Sequence, residues 1–275
     1  MLLNFTKMNG AGNDFIMLDN RSGSISLSKE QIAKLCDRHR GIGADGLLLV
    51  EDCKVSNADF RMRYYNSDGG EAEMCGNGAR CFARFASRLT SENSDKLSFE
   101  TQAGIIGAKL HADQSVELAM GTPHSWQPPT LLKIADTPLE IASLNTGVPH
   151  AVVLIENNEK LQQFDIQKNG SEIRYHHHFA PKGTNVNFYA ISSPGSLVVR
   201  TYERGVEEET LACGTGVVAT ALSYHLRTNT PSPIQVDVRG GETLSVSFEP
   251  LDNATFQNVT LQGPADFVFE GKIEL

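Results

Sequence analysis

The tetrapeptide Cys-Gly-Asn-Gly at 75–78 returns as Cys-Gly-Thr-Gly at 213–216, 138 positions later in a chain of 275 residues. Each copy follows an Arg-x-Tyr segment, Arg63 to Tyr65 and Arg200 to Tyr202, and then a polar, acidic stretch. A match that extends over strand, loop and helix start at one long period marks a duplicated unit. Two related lobes are therefore expected. The stretch Thr122–Pro138, with Pro123, Pro128, Pro129 and Pro138, reads as the linker between them and puts the boundary near Gly121.

Short alternating or apolar segments bounded by Gly, Asn, Asp and Pro predict strands at Leu3–Met8, Phe15–Asp19, Leu47–Glu51, Phe60–Tyr65, Val186–Ile191, Leu197–Tyr202, Ile234–Val238 and Leu244–Phe248. Helices are fewer. Ser28-Lys-Glu-Gln31 is a capping box ahead of Ile32 and Leu35. Two more helices are expected to open just after Cys75 and Cys213. The second, with Val217, Val218, Ala219, Ala221, Leu222 and Leu226, is apolar on nearly every face, as a helix wrapped by sheet should be. The fold class is α+β.

Glycines at the mouth of a helix let bare N–H groups approach a ligand, and the helix N-terminus adds partial positive charge, a site suited to a carboxylate. The same field favours thiolate over thiol. Two such units facing each other would set one sulfur on either side of a carbon bearing a carboxylate. One thiolate removes the α-proton and the opposite thiol returns a proton to the other face, which is racemisation without a cofactor. Taken singly, any free cysteine is more often an inert buried hydrophobe. Cys36, Cys53 and Cys81 have no partner in the repeat and keep that reading.

Other classes fit less well. With 24 Lys and Arg against 33 Asp and Glu, the formal charge is −9, the wrong sign for a broad grip on nucleic acid or anionic lipid. No apolar run approaches the ~18 residues of a membrane span, and the first ten residues lack the pattern of a secretory signal. Cytoplasmic localisation is expected, with a small polar ligand. Five cysteines, an odd number with no C-x-x-C, point to reduced thiols and no metal. Gly41-Ile-Gly-Ala-Asp-Gly46 matches G-x-G-x-x-G, yet it precedes an apolar strand instead of following one, so no nicotinamide site is expected. His176-His177-His178, read as an extended segment, would point to alternate sides and not converge on a metal.

Motifs are spread over nearly the whole chain: Lys-Met-Asn-Gly-Ala-Gly-Asn-Asp-Phe at 7–15, Arg-His-Arg-Gly-Ile-Gly-Ala-Asp at 38–45, Tyr-Asn-Ser-Asp-Gly at 65–69 and Met-Cys-Gly-Asn-Gly-Ala-Arg-Cys at 74–81. They continue in Gly-Val-Pro-His at 147–150, Gly-Thr-Asn-Val-Asn-Phe at 183–188, Tyr-Glu-Arg-Gly at 202–205 and Ala-Cys-Gly-Thr-Gly at 212–216. In these motifs the chain resembles diaminopimelate epimerases. The resemblance implies two pseudo-symmetric lobes, each a β-barrel-like sheet around a central helix. Residues 1–121 would form one lobe, to which 264–275 return, and 122–263 the other. It also implies conversion of LL- to meso-diaminopimelate in lysine and peptidoglycan precursor synthesis, with no cofactor and with a homodimer left open.

Carried over by position, the resemblance makes Cys75 and Cys213 the acid/base thiols. Gly76, Asn77, Gly214 and Thr215 would cradle the reacting carboxylate. Asn13, Asn66, Asn185, Glu203 and Arg204 would contact substrate, Arg204 suiting a carboxylate and Glu203 an ammonium, while His150 and Glu203 would tune the thiols. Each has a plainer reading. The asparagines could be turn residues, His150 a satisfied buried imidazole, and Glu203 with Arg204 a surface ion pair. A catalytically silent amino-acid-binding protein on the same fold is the alternative, its marker being a missing thiol. Three departures stand out: Val148 where the family has Asn, Gly46 where it has Gln or similar, and one extra residue in 205–210. The first two predict a less polar distal site and weaker discrimination against shorter amino acids such as glutamate or aspartate.

Overall fold

The computed structural model describes residues 1–53, 57–90, 94–135, 137–252 and 254–275. It is sheet-dominated and divides into two units, 1–119 with 262–275, and 120–261. The first unit runs β1 (Leu2–Gly10), β2 (Asn13–Asp19), α1 (Lys29–Cys36), β3 (Gly46–Asp52), β4 (Phe60–Asn66), β5 (Glu71–Ala72), α2 (Gly76–Ser87), β6 (Lys96–Thr101), β7 (Gly104–Leu110) and β8 (Val116–Ala119). The second runs β9 (His124–Ile134), β10 (Thr137–Asn145), β11 (Pro149–Leu154), α3 (Asn158–Gln163), α4 (Ile166–Arg174), β12 (Asn185–Ser193), β13 (Ser196–Glu203), β14 (Glu208–Thr210), α5 (Gly214–Thr228), β15 (Ile234–Val238) and β16 (Thr243–Pro250). The strand β17 (Phe256–Gly263) follows, and β18 (Asp266–Glu274) pairs antiparallel with β1 from Leu2↔Glu274 onward.

All eight strands expected from the residue pattern form. The alternation in β4 and β15 buries Phe60, Met62 and Tyr64, and Ile234, Val236 and Val238, on one face. β2 and β3 are buried on both faces, as parallel neighbours covered by helices are. Ile16, Leu18, Leu47 and Leu49 pack with Ile32 and Leu35 of α1. The opposite face meets α2. The capping box at Ser28 is formed: Ser28 Oγ accepts from Gln31 N at 3.3 Å and Gln31 Oε1 from Ser28 N at 2.8 Å.

The duplication is one of backbone order. In the first unit β1 and β2 are antiparallel, β2 and β3 parallel, β3 and β4 antiparallel, β4 and β6 parallel, β6 and β7 antiparallel. The same sequence of pairings recurs in β10, β11, β12, β13, β15 and β16. In each unit the strands curl around one buried helix. α2 packs against β1, β2, β3, β4, β7 and β8, and α5 against β10, β11, β12, β13, β15 and β16. Register fixes the equivalences. Phe15↔Gly46 matches His150↔Asn185, and Gly46↔Asn66 matches the position one step beyond Val186↔Tyr202, where Asn185 lies opposite Glu203.

Two local expectations are corrected. Apart from residue 136, outside the described set, Thr122–Pro138 is mostly the β9–β10 hairpin and not a linker. Gln127 pairs with Ser143 and Thr130 with Ile141, so Pro128 and Pro129 fall in a bulge where no ladder N–H is required. Secondly, residues 177–179 form a 3₁₀ turn instead of an extended segment, with His177 and His178 exposed. The helices α3 and α4 were not anticipated. They are short and polar, and begin at the caps Asn157 and Asp165, each accepting at 2.9 Å from the backbone N–H three residues on. Among the described residues no helix is long and apolar enough to cross a membrane, and no group of three His, Cys, Asp or Glu side chains is arranged to hold a metal.

Candidate active site

In both units the chain reaches the central helix in extended conformation and turns at the cysteine. Cys75 is the N-cap of α2 (φ −138°, ψ 121°) and Cys213 that of α5 (φ −121°, ψ 106°), so both sulfurs sit at the positive end of a helix with no acidic residue in its first turn. Neither cysteine offers a capping side-chain bond to its helix. The N–H groups of Gly76 and Asn77, and of Gly214 and Thr215, belong to the first turns, where backbone donors have no intrahelical acceptor. Gly78 and Gly216 complete the two turns.

In the first unit Asn77 is buried and locked. Its Nδ2 donates to Asn13 Oδ1 at 2.6 Å, and its Oδ1 accepts from Arg80 Nη2 at 2.9 Å. Asn13 Nδ2 in turn donates to Asp45 Oδ2 at 3.0 Å. Arg80 is fully buried, donates through Nε to the Pro264 carbonyl at 3.1 Å, and has no partner at Nη1. Burial works against its charge, while thiolates at Cys81 and, to a smaller extent, Cys75 would favour it. Below lies an ionic cluster in which Asp14 meets Lys7 at 2.8 Å and Arg38 at 2.7 Å, and Arg38 also meets Asp45 at 2.8 Å. Burial would raise the Asp14 carboxyl, but hydrogen bonds from Arg38 and Lys7 outweigh it and hold the group well below the usual carboxylate range. Asn66 ends β4 with its side chain exposed, and its backbone closes the turn to Gly70.

Gly46 has a steric reason. A Cβ there would stand 2.6 Å from the Tyr65 carbonyl oxygen and 2.7 Å from Tyr64 Cε2. The Tyr65 carbonyl and the Tyr64 ring occupy the space that any side chain at 46 would need.

In the second unit the partners are neutral. His150 is fully buried; its Nε2 lies 2.9 Å from Thr215 Oγ1 and its Nδ1 3.0 Å from Asn187 Nδ2. Thr215 Oγ1 is 3.6 Å from Cys213 Sγ. Burial pushes the imidazole down to about 3, so it is uncharged at neutral pH, and the neighbouring Arg204 charge acts the same way. Asn185 braces the backbone, donating to the Pro149 carbonyl at 3.1 Å and accepting from Arg204 N at 2.8 Å. Among the described residues the half-buried Arg204 guanidinium meets only the Lys182 carbonyl, at 3.4 Å, and no carboxylate lies within ion-pair distance of it. The surface pair with Glu203 is not formed. Burial raises the Glu203 carboxyl. The segment 205–210 makes a tight turn, in which Glu207 (φ 63°) returns its N–H to the Glu203 carbonyl at 2.8 Å. Its carboxylate takes bonds from Tyr202, Gly205 and Arg174.

The structure thus brings Asn13, Cys75, Gly76 and Asn77 together in one unit, and His150, Asn185, Glu203, Arg204, Cys213, Gly214 and Thr215 in the other. Sequence reasoning missed Arg80 and Asn187. Arg80 stood inside the Cys-Gly-Asn-Gly-Ala-Arg motif, and Asn187 two residues after Asn185, a spacing that puts both on one face of a strand. The remaining cysteines lie apart from the helix mouths: burial pushes the thiols of Cys36 to about 11 and Cys81 to about 12, and Cys53 donates to Glu100 at 3.7 Å.

Similarity to known proteins adds a family. The family model described as diaminopimelate epimerase matches residues 5–126 and 142–267. A diaminopimelate epimerase of Chlorobaculum tepidum is 43% identical, covering 98% of this chain and 100% of that protein. One from Aquifex aeolicus is 40% identical, covering 98% of each. Among solved structures, a PhzF-family phenazine biosynthesis protein of Bacillus anthracis superposes with TM-score 0.76 at 16% identity, covering 100% of both chains. A probable proline racemase of Agrobacterium radiobacter gives 0.70 at 14%, covering 99% of this chain and 93% of that one. The two structures share the fold; the sequence matches, spanning both helix mouths and both cysteines, carry the assignment that this chain belongs to the diaminopimelate epimerase family.

Proposed function

We propose that Cys75 and Cys213 are the acid/base pair of a cofactor-independent epimerase that interconverts LL- and meso-diaminopimelate. The observation that carries this is the equivalence of the two thiols: each is the N-cap of the central helix of its unit, at the same point in a duplicated strand order. One sulfur, as thiolate, takes the α-proton; the electron pair left on carbon is delocalised into the carboxylate, which the N–H groups of Gly76, Asn77, Gly214 and Thr215 stabilise. The other sulfur, as thiol, gives its proton to the opposite face. The first leaves as thiol and the second as thiolate, so protons balance and the reverse reaction exchanges the roles.

Arg204, with no carboxylate partner in the described structure, binds a substrate carboxylate, and Glu203 a substrate ammonium, with Asn13, Asn66 and Asn185 completing recognition. The protein acts on a free amino acid in the cytoplasm, alone or as a homodimer, without nucleic acid or membrane. The test is α-proton exchange from LL-diaminopimelate in D₂O without pyridoxal phosphate. Exchange and inversion by the native protein, with loss of inversion in both Cys75→Ala and Cys213→Ala, are expected. Neither exchange nor inversion by reduced native protein would mean that the scaffold serves another substrate or only binds one.

A further inference from the structure

Asn187, in the middle of β12, is fully buried, and its amide orientation is fixed by its partners. The Ala151 carbonyl can only accept, so the amide atom 3.0 Å from it is Nδ2; Thr201 Oγ1 donates to the other, Oδ1, at 3.0 Å. The second hydrogen on Nδ2 points to His150 Nδ1 at 3.0 Å. A ring nitrogen that receives a hydrogen bond carries no proton, so the single proton of a neutral imidazole sits on Nε2. From there it is donated to Thr215 Oγ1 at 2.9 Å. That oxygen accepts there and keeps its own hydrogen to donate, and Cys213 Sγ, 3.6 Å away, is placed to receive it.

We propose that Asn187 is a positioning residue of the epimerase reaction: it fixes the Nε2–H tautomer of His150, which turns the Thr215 hydroxyl into a donor to Cys213 and favours the thiolate there. This rests on the reading of Cys213 as an acid/base thiol. The fit around Asn187 is close, because a Cβ at Gly216 would stand 2.2 Å from its Oδ1. The relay from Thr201 through Asn187, His150 and Thr215 carries no charged member. The charged side chains at this end of the unit are Arg204, whose field also keeps His150 unprotonated, and Glu203, with no acidic residue on the first turn of α5. His150 therefore acts on the sulfur through a hydrogen bond and not through an imidazolium charge.

Two measurements test this without reference to turnover. In protein labelled with ¹⁵N-histidine, the His150 resonances at pH 6–8 are expected to show a bare Nδ1 and a protonated Nε2; an Nδ1–H tautomer or an imidazolium overturns the proposal. The second is the pH midpoint of Cys213 alkylation by iodoacetamide, read by peptide mass. Asn187→Leu is expected to raise it by about one unit, a roughly tenfold smaller thiolate fraction below the midpoint, and Thr215→Val to do the same, while Thr215→Ser retains the native midpoint. An unchanged midpoint in folded Asn187→Leu overturns the proposal even if activity falls. Should that variant fail to fold, Thr201→Val, which releases Oδ1 alone, is expected to shift the midpoint in the same direction, and no shift overturns it. Because neither measurement uses substrate, a failed epimerase assay and a failed relay are distinguishable.

Discussion

The two helix mouths share a backbone and differ in how their surroundings treat charge. In the unit of Cys75 the framework behind the helix mouth is ionic: the buried Arg80 guanidinium, and Asn77 tied through Asn13 to the Asp45 and Arg38 pair. Beside Cys213 it is a chain of neutral donors, Thr201, Asn187, His150 and Thr215. Cys75 is also partly exposed, whereas Cys213 is buried. Duplication has thus kept what the backbone supplies, an extended residue at a helix N-terminus, and varied the side chains that bias the thiol. A charged guanidinium favours a thiolate by its field, whereas a neutral hydroxyl favours it only when its hydrogen points the right way.

The largest effect separates the halves by removal. Cys75→Ala and Cys213→Ala are each expected to lower epimerisation by about 10³-fold, within the range of lost acid/base catalysis. A variant retaining more than a tenth of native inversion would remove its cysteine from the mechanism. Next is pH, which should act through the second unit. The His150 imidazole has an ordinary value of 6.5 and is held at about 3 when folded, so as pH falls below 6.5 the unfolded chain takes up a proton that the folded protein refuses. The stability of neutral His150 is complete above about 6.5 and is lost progressively down to about 3, where the loss is on the order of 5 kcal/mol. Urea unfolding of native protein and His150→Gln at pH 7, 5.5 and 4.5 measures it. Parallel pH dependences in the two proteins would reject this assignment.

Gly78 and Gly216 occupy the same place in the two first turns and sharpen the comparison further. A Cβ at Gly78 would meet Phe15 and Leu48 at 3.4 and 3.5 Å, an ordinary contact, while one at Gly216 would collide with Asn187 Oδ1 at 2.2 Å. Gly78→Ala is expected to lie within about 1 kcal/mol of native stability, since alanine's helix propensity offsets the contact. Gly216→Ala is expected to cost about 1–3 kcal/mol, as inserted carbon in a packed site does, and to slow Cys213 alkylation at neutral pH. Equal behaviour of the two variants in thermal unfolding would show that the close fit at Asn187 is not maintained in solution.

What was legible in the sequence follows the same division between backbone and side chains. The strands from Leu3 to Phe248, the box at Ser28 and the helices after Cys75 and Cys213 were readable because period-two burial, caps and glycine pairs are local signals. The prolines at 128 and 129 misled, because a proline pair suits a bulge as well as a linker and only the register of β9 on β10 distinguishes them. Asn187 and Arg80 stood within recognisable motifs, but their partners were invisible for another reason. Their importance lies in atoms contributed by distant segments, Ala151 and Thr201 for one and Pro264 for the other, and no local spacing announces such a partner. Gly46 was half-legible. Its departure from the family could be seen, but that Tyr64 fills the space could not.

The smallest expected effect concerns a position where the halves differ in polarity. Counting back two residues from the matched pair Phe15 and His150 places Asn13 opposite Val148 in the repeat. Asn13 is bonded on both sides of its amide, to Asn77 and Asp45. Val148 is half-buried, and its carbonyl accepts from Thr146 N at 3.2 Å, a bond that a side-chain change leaves in place. Val148→Asn gives the second half an amide where the first has one. If this position helps to hold the far end of diaminopimelate, the variant should gain about 0.5–1.5 kcal/mol of recognition, roughly a two- to tenfold rise in kcat/KM for diaminopimelate relative to glutamate. The α-proton exchange rates of both amino acids in D₂O give that ratio directly. A ratio unchanged from native would mean that Val148 does not set substrate range, and that the polarity difference at this point of the repeat belongs to folding alone.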